Sequence, residues 1–190
     1  MEVEKAIRKR RSLRKFKQNK IDLKILKKLL GAARLAPSAA NIQPLKYILV
    51  TSQNWLDLVF PTLKWAAYIA PEGNPKQDEK PTAYIIILVD KTVEKFPSER
   101  DVGAAAENIL LLATAKGLAA CWIASVDKEK LGKDLKLSSN YKIDSVIALG
   151  YPKEESEIED WKGDLKYFKD SQAKMHVPKR KLESLLIAIK

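Results

Sequence analysis

The chain has 190 residues, 46% of them apolar and 31% charged, with seven glycines and nine prolines. That suits one domain with a buried core and excludes collagen-like, low-complexity and disulfide-framework classes. The net charge of +11 is concentrated: residues 1–28 hold twelve Lys or Arg against three acids, or +9, and the remainder is nearly neutral at +2.

In chain order, Val3, Ala6 and Ile7 fall three and four apart and predict a short amphipathic helix leading into Arg10-Arg11-Ser12. Asp22 is placed to cap a second helix with the apolar stripe Leu26, Leu29, Leu30 and Ala33, ended by Pro37. A polar loop follows from Ser38 to Pro44, then a strand from Tyr47 to Thr51. Gln53 to Ile69 is helical in pattern, with Pro61 marking a break or a new first turn. Pro71 to Pro81, rich in proline, reads as an exposed, mobile loop. Ala83 to Val89 is a β-branched run expected as a strand buried on both faces. Val102, Ala105, Ala106, Ile109, Leu110 and Ala113 form a wide apolar stripe on a helix from Ser98 to Lys116. Leu118 to Val126 and Ile143 to Leu149 are further strands, separated by a short basic helix capped by Asp127. Beyond Pro152 the chain turns charged and then aromatic, before a last helix of Leu182, Leu185, Leu186 and Ile189. Residues 153–190 are too few for a core of their own and read as an extension of a single domain, one that can lie along a partner subunit. Strands interleaved with helices give a layered sheet of the α/β or α+β class.

One cysteine, Cys121, permits no intramolecular disulfide, and Met1 to Lys5 lacks the apolar run of a secretory signal, so a cytoplasmic protein is expected. The uncharged runs Pro81–Val89 and Gly117–Val126 are too short for a membrane helix, and no membrane partner is expected. The inventory for acid–base or nucleophilic chemistry is thin. Cys121 lies in an apolar strand and reads as inert core. His176, the one histidine, has no acid or nucleophile tied to it by spacing and reads as surface or packing. No Cys/His cluster has metal-ligand spacing and no glycine-rich phosphate loop is present. The acid pairs Glu99/Asp101 and Glu154/Glu155 lie in charged stretches that read as solvated.

Two constellations remain. Arg10-Arg11-Ser12-Leu13-Arg14 flanks a hydroxyl with guanidinium groups, which bind phosphate oxygens in forked, charge-assisted pairs; a solvated basic cluster is the alternative. Pro37-Ser38-Ala39-Ala40-Asn41-Ile42-Gln43-Pro44 sets two carboxamides between prolines, suited to the mixed N–H and C=O edge of a heterocycle; a local turn in which Asn41 bonds its own backbone is the alternative.

Together these segments resemble the nitroreductase family of flavoproteins, which carries Arg-x-Ser-x-Arg/Lys after its first helix and Pro-Ser-x-x-Asn-x-Gln-Pro after its second. Asp101-Val102-Gly103 through Glu107-Asn108, Lys116-Gly117-Leu118 through Cys121-Trp122-Ile123-Ala124, Ala148 to Pro152, and Pro178 to Glu183 extend the resemblance over nearly the whole chain. It implies an α+β three-layer fold with a central, mostly antiparallel sheet flanked by helices. It also implies an intertwined homodimer with a swapped C-terminal extension, and an FMN-dependent oxidoreductase using NAD(P)H as co-substrate. Carried over by position, Arg10, Ser12 and Arg14 hold the FMN phosphate and ribityl chain, with Arg11 adding backbone contacts. Pro37, Ser38, Ala39 and Asn41 come from the partner chain to the ring, and Gln43 supports that loop. Ile123, Ala124 and Ser125 lie near the flavin N5, and Lys179 and Arg180 close on the phosphate. Trp65 and Tyr68 lie where substrate-covering elements vary in the family, with core packing as the alternative. This chain has Gly117-Leu118-Ala119 where many relatives have Gly-Leu-Gly, and Ala124 where larger relatives place an acid. The expected activity is hydride transfer from NAD(P)H to a nitroaromatic, quinone or similar small acceptor in a ping-pong cycle. Flavin fragmentation, dehalogenation, oxidase or ene-reductase chemistry is the alternative within the superfamily. A nucleic-acid-binding module ranks lower, since the basic arm offers only Phe16 for base stacking.

Overall fold

In a computed structural model that describes residues 1–190, a five-stranded antiparallel sheet lies between two helical layers. The helices are α1 (Val3–Lys9), α2 (Leu23–Arg34), α3 (Gln53–Val59), α4 (Glu99–Ala115) and α5 (Lys128–Asp134). The strands of the main sheet are β1 (Phe16–Lys17), β2 (Leu45–Val50), β3 (Ala83–Asp90), β4 (Ala119–Ile123) and β5 (Tyr141–Pro152). Their order is β1-β5-β3-β2, with β4 also on β5. None of the helices is long and apolar enough to cross a membrane.

Strand β3 organises the core because every one of its residues is buried. Side chains alternate across a strand, so Ala83, Ile85, Ile87 and Val89 pack against Leu26, Leu29 and Ala33 of α2 and Val102, Ala105 and Ile109 of α4. Tyr84, Ile86 and Leu88 face the other way, onto Leu56 and Val59 of α3, Leu131 of α5, and Leu63 and Trp65. This is the expected three-layer α+β arrangement. The small residues of α4 let it run close to α1, α2 and β4. Its end is set by Gly117, at φ +75°, after which the Leu118 N–H returns to the Ala113 carbonyl at 2.9 Å.

The 12-residue β5 joins distant parts of the chain. It pairs with β3 over Tyr141–Leu149, with β4 over Val146–Gly150, and with β1 at Tyr151 and Pro152. A Cβ on Gly150 would lie 2.7 Å from both Cβ and Cδ1 of Phe16, which is itself wholly buried. Gly150→Ala is therefore expected to cost about 1–3 kcal/mol through overpacking. A urea midpoint equal to that of the parent protein would show that Phe16 moves aside freely.

Several elements depart from the sequence reading. Helix over Gln53–Ile69 stops at Val59; Pro61 opens a single 3-10 turn over Phe60–Thr62, and Ala66 sits at φ 39°. A helix cannot run through that left-handed position. The Pro71–Pro81 loop is anchored at Glu79, which is buried, accepts from the Lys76 N–H at 3.0 Å and pairs with Lys15 at 3.2 Å. Those contacts hold the Glu79 carboxyl below its ordinary pKa, although burial pushes the other way. The last helix reduces to one 3-10 turn, Leu182–Ser184.

The charged tail folds into a small second sheet, β6 (Ser156–Asp160), β8 (Met175–Lys179) and β7 (Phe168–Lys169), in the order β6-β8-β7. Strands β6 and β8 are parallel, and β7 is antiparallel to β8. Met175 and His176 are its buried residues. His176 is tied to acids after all: hydrogen bonds to Asp170 and Glu159 hold its pKa above the usual imidazole value, against the effect of burial. Sequence spacing gave no sign of this, because Glu159 arrives from β6 and Asp170 from the turn between β7 and β8.

Candidate active site

The two segments singled out above are both anchored to α4. Arg10 ends α1, where its N–H returns to the Ala6 carbonyl, and its Nε lies 3.3 Å from Glu107 Oε1. Asp101 is buried, and its Oδ1 accepts from the Ala39 N–H at 3.1 Å. The two acids stand six residues apart on α4, roughly 9 Å along its axis.

After Arg10 the chain extends beside β4. Ser12 forms a parallel bridge with Ala120, and the Leu13 N–H donates to the Ala120 carbonyl at 3.1 Å. The Glu154 side chain, 5% exposed, accepts from the Arg14 and Lys15 N–H groups and pairs with Lys169 at 3.1 Å. The Arg14 guanidinium lies 4.8 Å over the Tyr167 ring, and its Nη1 is 3.4 Å from the Ser12 carbonyl. Arg11 turns inward and bonds the Arg8 and Arg10 carbonyls, so it shapes the end of α1. Burial and the neighbouring Arg10 charge lower its pKa. Arg10, Ser12 and Arg14 thus share one stretch and Arg11 has a backbone role. Cys121 is buried behind them, and burial pushes its thiol pKa up, so it is protonated core.

The Pro37–Gln43 loop is tightly folded. Ala40, Asn41 and Gln43 have φ of 48°, 54° and 53°, a left-handed conformation that costs L-residues energy. Ser38 Oγ accepts from the Gln43 N–H at 3.0 Å, and Gln43 Nε2 donates to Asn41 Oδ1 at 3.1 Å. Gln43 therefore supports the loop internally, while the Asn41 amide nitrogen is free to donate outward. Pro37, Ser38 and Gln43 line a cavity of about 430 Å3 with Leu45, Tyr47 and Asp101. Burial pushes the Tyr47 pKa up to about 12. Pro37, Ser38 and Ala39 also border a broader cleft of about 870 Å3 with Phe96 and Arg100. Neither cavity includes Arg10, Ser12 or Arg14, and no hydrogen bond or ion pair joins the two segments within the chain.

Asp101→Ala removes the acceptor that holds this loop and is expected to cost about 1–2 kcal/mol. Amide exchange at Ala39 should quicken while exchange in β3 is unchanged, and Asp101→Asn should do less. Equal protection at Ala39 in all three proteins would deny Asp101 that role.

Ile123 is buried at the end of β4, and Ala124 and Ser125 emerge exposed beyond it. The Ser125 carbonyl accepts from the Lys64 N–H at 3.0 Å. Trp65 packs in the core 5.7 Å from Phe60, with its indole N–H unpartnered, whereas Tyr68 is 62% exposed, its ring tilted against that of Tyr167 with centroids 5.1 Å apart. Lys179 ends β8 and Arg180 follows it, 5.3 Å over Trp161. The acid pairs did not read correctly as solvated. Asp101 and Glu154 are buried anchors, and only Glu99 and Glu155 are exposed. Their partners, the N–H groups of Ala39, Arg14 and Lys15, lie 62, 140 and 139 positions away, out of reach of any local pattern.

The model of the nitroreductase family matches residues 7–151, which contain both segments, α4 and all of the main sheet but its last residue, Pro152. The chain belongs to the nitroreductase family. An Archaeoglobus fulgidus protein, provisionally named NADH dehydrogenase/NAD(P)H nitroreductase, is 32% identical over 161 residues, covering 81% of this chain and 87% of its own. Among solved structures, an FMN-dependent nitroreductase from Clostridium difficile R20291 is 27% identical with a TM-score of 0.67, over 80% of this chain and 88% of that one. A nitroreductase family protein from Clostridium novyi NT is 29% identical with a TM-score of 0.67, over 80% and 86%. Membership of the nitroreductase family makes the chain an oxidoreductase, which fits a candidate site built without a nucleophile or His–acid pair: a redox cofactor carries such chemistry, and the protein binds and orients it.

Proposed function

We propose that the chain is an FMN-dependent NAD(P)H oxidoreductase acting on a nitroaromatic, quinone or similar small acceptor, with donor and acceptor alternating at one shared site. The observation that carries this reading is the separation of two complementary half-sites. Arg10 and Ser12 supply cationic and hydroxyl donors for a dianionic phosphate, and Arg14, two residues on, a further guanidinium for the rest of the cofactor. The free Asn41 amide and the turned backbone of Ala39 and Ala40 supply donors for a heterocycle edge. Nothing joins these halves within one chain, so the site is completed between two copies in a homodimer. Apolar side chains at the end of the chain, with Ile187 and Ile189 almost wholly exposed, support such an association. From Ala120, beside Ser12, to exposed Ala124 is four strand residues, roughly 13 Å, enough to lead from a phosphate toward a ring.

In this reading Arg10 and Ser12 bind the phosphate, while Arg14, held by Glu154 at its backbone and Tyr167 at its guanidinium, offers positive charge toward the pyrimidine side. Bound FMN supplies the hydride-accepting and hydride-donating chemistry. Ala124 and Ser125 present small side chains where the ring edge must remain accessible, and Pro37–Asn41 of a second copy excludes water from the ring. Exposed Tyr68 meets the acceptor in this reading, whereas Trp65 belongs to the core. Lys179 and Arg180 close on the phosphate from the tail. Cytoplasmic function fits the buried, unpaired Cys121.

The deciding experiment is the visible spectrum of the protein reconstituted with FMN. Bound-flavin bands that bleach on addition of NAD(P)H and return with a quinone or nitroaromatic are expected. Failure to retain flavin, or bands indifferent to both nicotinamides, would remove the proposal.

A further inference from the structure

The tail sheet assembles a group that the redox site does not use. Parallel pairing of β6 and β8 sets Glu157 opposite His176, and Glu159, two residues on, emerges on the same face. His176 Nδ1 lies 2.6 Å from Glu159 Oε1 and 3.2 Å from Glu157 Oε1, and the three ligand atoms are within 4.8 Å of one another. On the other side of the ring, Nε2 faces Asp170 Oδ2 at 3.0 Å. The second Asp170 oxygen accepts from the Gln172 and Lys174 N–H groups, both at 2.9 Å. Phe168 stacks on the imidazole with centroids 4.9 Å apart and planes 8° from parallel.

Two glutamates on a surface make no site by themselves. The decisive member is His176, its side chain only 10% exposed and its Nδ1 aimed at both of them. Carboxylates only accept. With Nε2–H given to Asp170, Nδ1 also presents a lone pair, so three lone pairs converge and a cation must lie between them: a proton or a metal ion. We propose that Glu157, Glu159 and His176 Nδ1 bind a divalent transition-metal cation, typified by Zn2+, with Asp170 fixing the imidazole from behind. Mixed imidazole and carboxylate donors suit such ions, and a carboxylate on the distal N–H is the usual way their histidines are oriented.

Distance and charge agree. Donors about 2.1 Å from a tetrahedral ion stand about 3.4 Å apart. The Glu157–His176 pair is already near that, and Glu159, partly exposed, has room to withdraw. With neutral imidazole, Glu157, Glu159 and Asp170 carry three negative charges and Lys174, paired with the outer Glu157 oxygen, carries one positive. A divalent ion makes the group neutral. Glu159 also lines the cleft of Tyr68, Phe168 and Pro178, which gives an ion and a fourth, water ligand a way in. Bound there, the ion would pin β6 to β8, a link invisible in the sequence because its ligands come from strands 17 and 19 residues apart.

Calorimetric titration of the EDTA-treated, full-length protein with Zn2+ tests this. One equivalent should bind saturably. Glu159→Gln and His176→Gln should each weaken binding by about tenfold or more, and Asp170→Asn by about 10- to 100-fold. Lys174→Met should act the other way, strengthening binding on the order of fivefold by removing a competing ammonium. Because His176→Gln can unfold the tail, the Lys174→Met and Asp170→Asn proteins carry the test if it does. No saturable binding would mean a proton alone occupies the site. Binding that is unchanged in these variants, or weakened by Lys174→Met, would place the ion elsewhere; either outcome overturns the proposal.

Discussion

Replacing Arg10 and Arg14 together by alanine is expected to weaken FMN binding on the order of a thousandfold. Each guanidinium offers charge-assisted hydrogen bonds to the cofactor, and two such contributions multiply. The fold should survive, because this stretch is held by its backbone. The Leu13 N–H is bonded to Ala120 and the Arg14 N–H to Glu154, neither through the deleted side chains. Flavin fluorescence titration gives the affinity and urea denaturation the control. Undiminished affinity in a folded double variant would put the phosphate elsewhere on the chain.

The second large effect is on stability. Glu154→Ala should lower the unfolding free energy by about 3 kcal/mol, since it strands the Arg14 and Lys15 N–H groups and leaves the Lys169 ammonium unpaired in a site only 15% exposed. Adding Lys169→Met should recover part of the loss by removing the unpaired charge. A Glu154→Ala protein within 1 kcal/mol of the parent in urea would mean that water replaces the carboxylate there.

Elements whose signals are local were legible in the sequence. Asp22 caps α2 through the Lys24 N–H at 2.7 Å, and Leu26, Leu29 and Ala33 are its buried face. The β-branched run of β3 is buried on both sides, and the stripe on α4 faces that strand as its period required. Chain turns governed by distant contacts were not legible. Ala66 adopts its left-handed conformation within the core beside Gly73, where a Cβ would lie 2.5 Å from that of Ala66, and this keeps the helical pattern past Pro61 from forming a helix. The β6 segment Ser-Glu-Ile-Glu-Asp reads as solvated charge, yet its glutamates find their partner in His176, from β8. The candidate site divides in the same way. Its basic and amide segments could be read from local motifs, whereas the acids that hold them, Asp101 and Glu154, needed the third dimension.

The place of β5 also bears on how the molecule is made. Phe16 pairs with Pro152, 136 positions later, and Ala120 with Leu149, so one strand closes both the earliest and the middle parts of the sheet. A nascent chain leaving the ribosome must keep the β-branched run of β3 unpaired on one edge until this last staple is synthesised. During that interval it is a target for chaperones and for aggregation.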